Sequence, residues 1–365
     1  MRVRGGRSMK ITAVVGARPN FVKIAPILAE ARHYGDIECR LVHTGQHFDA
    51  NMSASFFRDL EIPEPHVNLG VSDSNAVQTA EIMFRLVPLL GIERPDLVVV
   101  VCDVNSTLAA GIVAAKLGIP LAHVEAGLRS FDRTMPEEVN RILTDAVADY
   151  CFTTEPAAND NLAREGVAPE RIHHVGNVMI DALFRFRERA AASPILDTLR
   201  LTPRQFAVLT LHRPSNVDDP EKLRRLLRAV ASLQRDLPIV FPVHPRTRQR
   251  LRLVSGGDQG AGLMPIEPLA YLDFVQLMAN ARAVLTDSGG IQEETTALGV
   301  PCLTLRRNTE RPITVTQGTN RIVGMDPDAI QSAWDEIRRG QWPAGRLPEL
   351  WDGKAAERIL KVLAR

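Results

Sequence analysis

Three acidic side chains stand out in the stretch HVEAGLRSFDRTMPEEVNR, residues 123 to 141. Glu125 ends an apolar run, IPLAHVE, of the kind that forms a buried strand. Glu137 and Glu138 follow Pro136, where a helix should begin. Carboxylates gathered in this way suit proton transfer, one accepting and another donating. Other polar residues also stand at the ends of apolar runs: Gly16-Ala17-Arg18, Thr44-Gly45-Gln46-His47, Asp103, His212-Arg213, His244-Pro245-Arg246 and Asp287-Ser288-Gly289-Gly290. Taken singly, most read two ways. Asp103 also suits the cap of a helix beginning near Asn105. Glu137 and Glu138 suit the positive end of a helix dipole. His212 also suits a satisfied core position, His244-Pro245-Arg246 a turn, and Glu293 and Glu294 a solvated helix face. Glu125 is a poor cap and a poor strand residue, which favours function. The clustering at strand ends moves the whole group towards function.

The elements that must position these groups alternate along the chain. Strand candidates in the first half are KITAVVG, IECRLVHT, DLVVVVC, PLAHVE, YCFTT and IHHVG. Helical stretches lie between them, over Phe21 to His33, Ala76 to Leu90, Asn105 to Leu117, Glu137 to Val147 and Pro156 to Arg164. The second half adds FAVLTLH, PIVFPVH, GLMPI, RAVLTD and PCLTL, with helices over Pro220 to Arg235, Tyr271 to Ala279 and Ile291 to Leu298. Continuous apolar strands alternating with helices predict parallel sheets covered on both faces, and two such series predict two doubly wound α/β domains. The expected domains are residues 1–175 and 176–353, with a last helix, within 354–365, packing back on the first. Ligands of open parallel sheets bind beyond the carboxyl ends of the strands. Seven polar strand ends in two domains therefore predict a shared cleft.

The whole chain limits the alternatives. Its 365 residues suit two domains, with 45% hydrophobic and 24% charged residues, an ordinary globular mixture. A net charge of +1 gives no bulk field for nucleic acid or an anionic membrane. No apolar run approaches the roughly 20 residues of a membrane span. The start, MRVRGGRSMK, leads into strand-like ITAVVG with no signal-peptide pattern, and Met9 is an alternative start. Four cysteines, Cys39, Cys102, Cys151 and Cys302, form no CxxC pair and read as buried free thiols of a cytoplasmic protein. His43 and His47 stand four apart but in a strand-to-loop stretch, and His173 and His174 are adjacent, so no metal site is expected.

The phosphate signal is DSGGIQEE, where small residues at a helix start expose N–H groups to an anion. Arg311 in NTERP offers a two-pronged contact to a diphosphate. No GxxxxGK[ST] occurs, and GARPN lacks GxGxxG spacing, so neither a P-loop nor a nicotinamide fingerprint is present.

The ordered motifs GARPNFVKIAPI, TGQHFD, HVEAGLRS, MPEEVNR, GNVMIDAL, LHRPSNVDD, FPVHPRTR, TDSGGIQEET and NTERPIT with QGTNR resemble those of the non-hydrolysing UDP-N-acetylglucosamine 2-epimerases. The resemblance runs from about Ile11 to Gly324. It implies two Rossmann-like domains of glycosyltransferase-B type, UDP in the cleft, no redox cofactor and a homodimer. It further implies interconversion of UDP-N-acetylglucosamine and UDP-N-acetylmannosamine. By motif, the nucleotide contacts are Arg18, Lys23, His212, Phe274, Ser288, Gly289, Gly290, Glu294 and Arg311. Glu294 would accept from the ribose hydroxyls and Phe274 would lie by the uracil. Asp103, Glu125, Glu137 and His212 would face the reacting sugar. Two positions depart from the pattern: Cys102 stands where the family usually has glycine, and Arg307 where relatives often carry an acid. A retaining glycosyltransferase shares the donor but would not require the acid cluster. A hydrolysing epimerase would release free sugar, and a non-catalytic sensor would lose the acids.

Overall fold

The computed structural model describes residues 8–45, 57–72, 75–254 and 263–364. His47 and the QHFD motif lie outside the described residues. The chain divides into two compact units, Met1–Arg185 with Glu349–Arg365, and Phe186–Pro348.

The first unit contains β1 (Met9–Val15), β2 (Ile37–His43), β3 (Val67–Asn68), β4 (Leu97–Val101), β5 (Leu121–Ala126), β6 (Tyr150–Thr153) and β7 (Ile172–His174). They form one parallel sheet in the order β3-β2-β1-β4-β5-β6-β7. Every residue of β4 and β5 is buried, as expected for central strands covered on both faces. The chain runs outward from β1 to β3, then restarts at β4 beside β1 and runs the other way. The topological switch thus lies between β1 and β4, and their carboxyl ends carry Gly16-Ala17-Arg18 and Cys102-Asp103.

The second unit repeats the plan with β8 (Ala207–Thr210), β9 (Ile239–Pro242), β10 (Leu263–Ile266), β11 (Val284–Thr286), β12 (Cys302–Thr304) and β13 (Asn320–Ile322). Their parallel order is β10-β9-β8-β11-β12-β13. The switch lies between β8 and β11, which lead into His212 and Asp287. The helix Pro220–Leu233 buries Leu223, Leu226, Val230 and Leu233, one face at helical spacing. Asp219 caps it by accepting from the Glu221 and Lys222 backbone N–H groups.

The alternating α/β architecture follows the sequence expectation. The short edge strands β3 and β13 do not, because runs of two and three residues carry no measurable periodicity. His244-Pro245-Arg246 opens a helix, Pro245–Val254, rather than a mere turn. Three cysteines are buried, but Cys39 near the start of β2 is only half-buried. The last helix, Ala355–Leu363, packs against the helix Arg18–Ala31. Asp181 accepts the first N–H groups of that last helix, from Ala355 at 3.1 Å and Ala356 at 2.7 Å.

Candidate active site

In the first unit the strand ends are bent, and the bends present the acids. Glu125 has φ +74 and interrupts the register between β5 and β6, so it is a bulge residue. A bulge re-aims a side chain out of the in-out alternation, which explains a carboxylate at the end of a core strand. Glu125 is 3% exposed and ion-paired with the equally buried Lys23 of the helix Arg18–Ala31. Alone, either charge would be costly in such a setting; together they are tolerated. Cys102, the residue before Asp103, has φ +64. Where glycine would rest without strain, a cysteine costs about 1–2 kcal/mol. Burial pushes its thiol well above the usual range, against the pull of Lys23, so it stays neutral.

Asp103 keeps 21% of its side chain exposed and pairs with Arg141, which is almost fully buried. Arg141 also donates to Glu138, from Nη2 at 2.7 Å and Nε at 3.1 Å. Glu138 further accepts from the Ser130 N–H at 2.9 Å, the Ser130 hydroxyl at 3.0 Å and the Phe131 N–H at 2.8 Å. Burial raises the pKa of Glu138, but the Ser130 N–H and Arg141 outweigh it and hold the carboxyl below the ordinary range. Glu137, by contrast, is half-buried in the first turn of the helix Pro136–Val147. The two neighbouring acids therefore differ in kind: Glu138 is locked into the loop that precedes its helix, and Glu137 is the more accessible one. Asn140 completes the group by donating to the Asp103 carbonyl at 2.8 Å. Arg18 is half-buried at the start of its helix.

In the second unit the same strand ends hold a different set. Asp287 is fully buried and accepts from His212 Nδ1 at 2.8 Å, from the His212 and Arg213 N–H groups, and from Asn216 Nδ2 at 3.1 Å. Burial pushes the Asp287 carboxyl up, but His212 and the two backbone donors hold it below the ordinary range. With Nδ1 turned to Asp287, Nε2 of the partly exposed His212 is the ring nitrogen a ligand can use. Ser288 stands just before the helix Gly289–Leu298, and its N–H donates to the Thr286 hydroxyl at 2.9 Å. A Cβ at Gly289 would overlap the Arg311 guanidinium and the Glu310 carboxylate. Glycine is thus required for Arg311 to lie against this helix start, beside half-buried Ser288 and Gly290. Arg311 is held by Glu310 at 2.6 Å and Glu293 at 2.9 Å, and Glu310 also holds Arg306 at 2.7 Å. Phe274 is half-buried on the helix Tyr271–Asn280. Glu294 is buried, and its charge adds to burial in raising the pKa of Tyr271.

Lys23 and Glu125 are thus paired with each other, and the Asp103 end is tied to the start of the Glu137 helix. In the second unit His212, Ser288, Gly289 and Arg311 stand around one switch point. The sequence reading did not name Arg141 or Glu310, and it singled out Glu138, Asp287 and Glu293 without the holding contacts they make here. The available signals were weak. Glu138 and Arg141 are three apart on one helix, and Glu310 adjoins Arg311. Among the described residues, no group of His, Cys, Asp and Glu could hold a metal ion.

Two doubly wound sheets, each with polar groups beyond its switch point, define a doubly wound α/β protein with ligand-binding positions at its strand ends. A family model described as UDP-N-acetylglucosamine 2-epimerase matches residues 29–364, and the chain belongs to that family. It is 39% identical over 368 residues to the UDP-N-acetylglucosamine 2-epimerase of Methanocaldococcus jannaschii, covering 97% of this chain and 99% of that one. It is 40% identical over 366 residues to the UDP-2,3-diacetamido-2,3-dideoxy-D-glucuronate 2-epimerase of Pseudomonas aeruginosa, covering 98% of this chain and 100% of that one. Among solved structures, the M. jannaschii UDP-GlcNAc 2-epimerase in complex with UDP-GlcNAc and UDP superposes with a TM-score of 0.89 at 38% identity, covering 97% and 99% of the two chains. A lipopolysaccharide outer core galactosyltransferase, 13% identical with a TM-score of 0.53, shares the fold.

Proposed function

We propose that this chain interconverts UDP-N-acetylglucosamine and UDP-N-acetylmannosamine by inverting carbon 2. The hydrogen on carbon 2 of a pyranose is barely acidic, so direct removal is difficult. Loss of UDP from carbon 1 creates oxocarbenium character next to it and makes that hydrogen far more acidic. Proton removal then yields 2-acetamidoglucal and UDP. Protonation of the opposite face and re-addition of UDP complete the inversion. In this reading Asp103 and Glu137 transfer the protons, and Glu125, fixed by Lys23, orients the sugar or tunes a neighbour. His212 Nε2 donates to the departing phosphate, supported by Ser288, Gly289, Gly290, Arg311, Arg18 and Lys23. Glu294 accepts from the ribose and Phe274 lies by the uracil.

The observation that carries the reading is the acid cluster at the ends of β4 and β5, held on buried cations, in a chain of this family. Turnover in deuterated water tests it. Acids that equilibrate with solvent should deliver deuterium to carbon 2 of the product, with occasional escape of 2-acetamidoglucal. Epimerised product that keeps its original hydrogen, with no glucal on long incubation, overturns the roles given to Asp103 and Glu137.

A second reading keeps the chemistry and changes the sugar. The P. aeruginosa relative, named for a diacetamido-glucuronate substrate, is 40% identical over nearly the whole chain. Parallel assays with both UDP-sugars separate the two.

We further infer a cytoplasmic homodimer. Four free thiols, three of them buried, suit a reducing compartment, and no helix among the described residues is long and apolar enough to cross a membrane. The helix Asn75–Glu93 exposes Val77, Phe84, Val87 and Ile92, an apolar face that suits a second copy. Phe84→Glu should shift the chain to monomer by light scattering, and an unchanged mass would remove that face from the interface.

A further inference from the structure

His123 lies within β5 and is fully buried, yet it belongs to none of the roles above. Its Nδ1 is 2.6 Å from Asp145 Oδ1 on the helix Pro136–Val147, and its Nε2 is 2.8 Å from the Cys102 carbonyl oxygen. A carbonyl oxygen only accepts, so Nε2 must donate. Asp145 already accepts from Arg129 at 2.7 Å and from the Gly127 N–H at 3.0 Å. The Arg129 guanidinium on the other oxygen holds Asp145 in its charged, carboxylate form, so Nδ1 donates as well. Both ring nitrogens then carry hydrogen, and the ring is an imidazolium paired with a buried carboxylate.

The acceptor at Nε2 is the carbonyl of the peptide joining Cys102 to Asp103. That peptide leaves β4 through the left-handed conformation of Cys102, so it needs external support. We propose that His123 is a positioning residue for Asp103, holding the strand end through which Asp103 is presented. Asn140 holds the next carbonyl and Arg141 holds the carboxylate, so three donors define one acid. The charged and titratable groups around this pair come from every side. Arg129 lies in the loop after β5 and is paired with Glu165, and Cys151 pairs with His123 across β6. Lys23, Glu125 and Asp103 surround the Cys102 side. The Asp145 carboxyl is pushed up by burial but held low by His123 and Arg129, which agrees with an ion pair.

The inference rests on the reading of Asp103 as a proton-transfer group, and two measurements keep the two apart. The first is NMR of the ¹⁵N-histidine-labelled wild-type chain at neutral pH, with His123 assigned by through-bond connectivity. Both ring nitrogens of His123 should be protonated; one bare nitrogen overturns the proposal whatever the reaction proves to be. The second is kinetics of His123→Gln, which can donate to only one of the two acceptors. It should lower kcat by about 10- to 100-fold, the scale of a misplaced reacting group, with KM and UDP affinity within about threefold. An unchanged kcat in the folded variant, or UDP affinity falling as far as kcat, overturns the positioning role. Absence of turnover in the wild type counts against the proposed function, and the ring NMR still decides the state of His123.

Discussion

The two units place polar groups beyond the switch point of the same kind of sheet, but with opposite logic. In the first, buried cations hold acids: Lys23 holds Glu125, and Arg141 holds Asp103 and Glu138. In the second, buried acids hold cations and donors: Asp287 holds His212, and Glu293 and Glu310 hold Arg311. The fold supplies only the location. The sign of the buried partner decides whether the group it holds is an acid suited to move protons or a donor suited to stabilise a departing diphosphate.

The comparison can be broken most severely at Lys23. Lys23→Met leaves Glu125 buried without its cation, and it should cost about 3–5 kcal/mol of stability in urea unfolding. A loss below about 1 kcal/mol would mean that the pair does not hold this strand end. Next comes Asp103→Asn, which keeps the shape but cannot take a proton. It should lower kcat by about a hundredfold or more while calorimetric UDP affinity holds. The counterpart in the second unit is Arg311→Ala. It should weaken UDP binding by about 1.5–3 kcal/mol, and unchanged affinity in a folded variant would remove Arg311 from the site.

A smaller effect sharpens the contrast through pH. Asp287 has its carboxyl held low, so its contribution is present above the unfolded value and is lost as pH falls through the folded one. Asp181, which caps the last helix of the first unit, is pushed by burial from 3.8 to about 6 despite the two N–H donors. Its folded value is raised, so the sign reverses. Its contribution is full below about pH 4 and is lost as pH rises through about 6. Asp181→Asn should remove a decline on the order of 2 kcal/mol between pH 4 and 7, read from denaturation midpoints at each pH. A variant with the wild-type slope would show that Asp181 is not the source.

Much of this was legible before any coordinates. Apolar runs such as DLVVVVC and PLAHVE with intervening helices predict parallel sheets, because strands covered on both faces need largely continuous apolar residues. The positions of Asp103, Glu125, His212 and Ser288 follow from the same pattern, since ligands gather beyond strand ends. The order of the motifs carries the family. The sequence did not show which residues hold the site. Arg141 lies 38 residues from Asp103, Lys23 102 residues from Glu125, and Asp287 75 residues from the His212 N–H it accepts. No local periodicity reports such pairings, because they depend on which strands become neighbours. The left-handed turn at Glu125 was equally hidden, since residues other than glycine adopt one only when surrounding contacts outweigh the strain, and the one at Cys102 was signalled only by the glycine usual at its place in the family. Composition and spacing determined the layers and the strand ends. Only tertiary packing decided which buried charge stands behind each site residue, because a charge is tolerated in the interior only where the fold brings its partner.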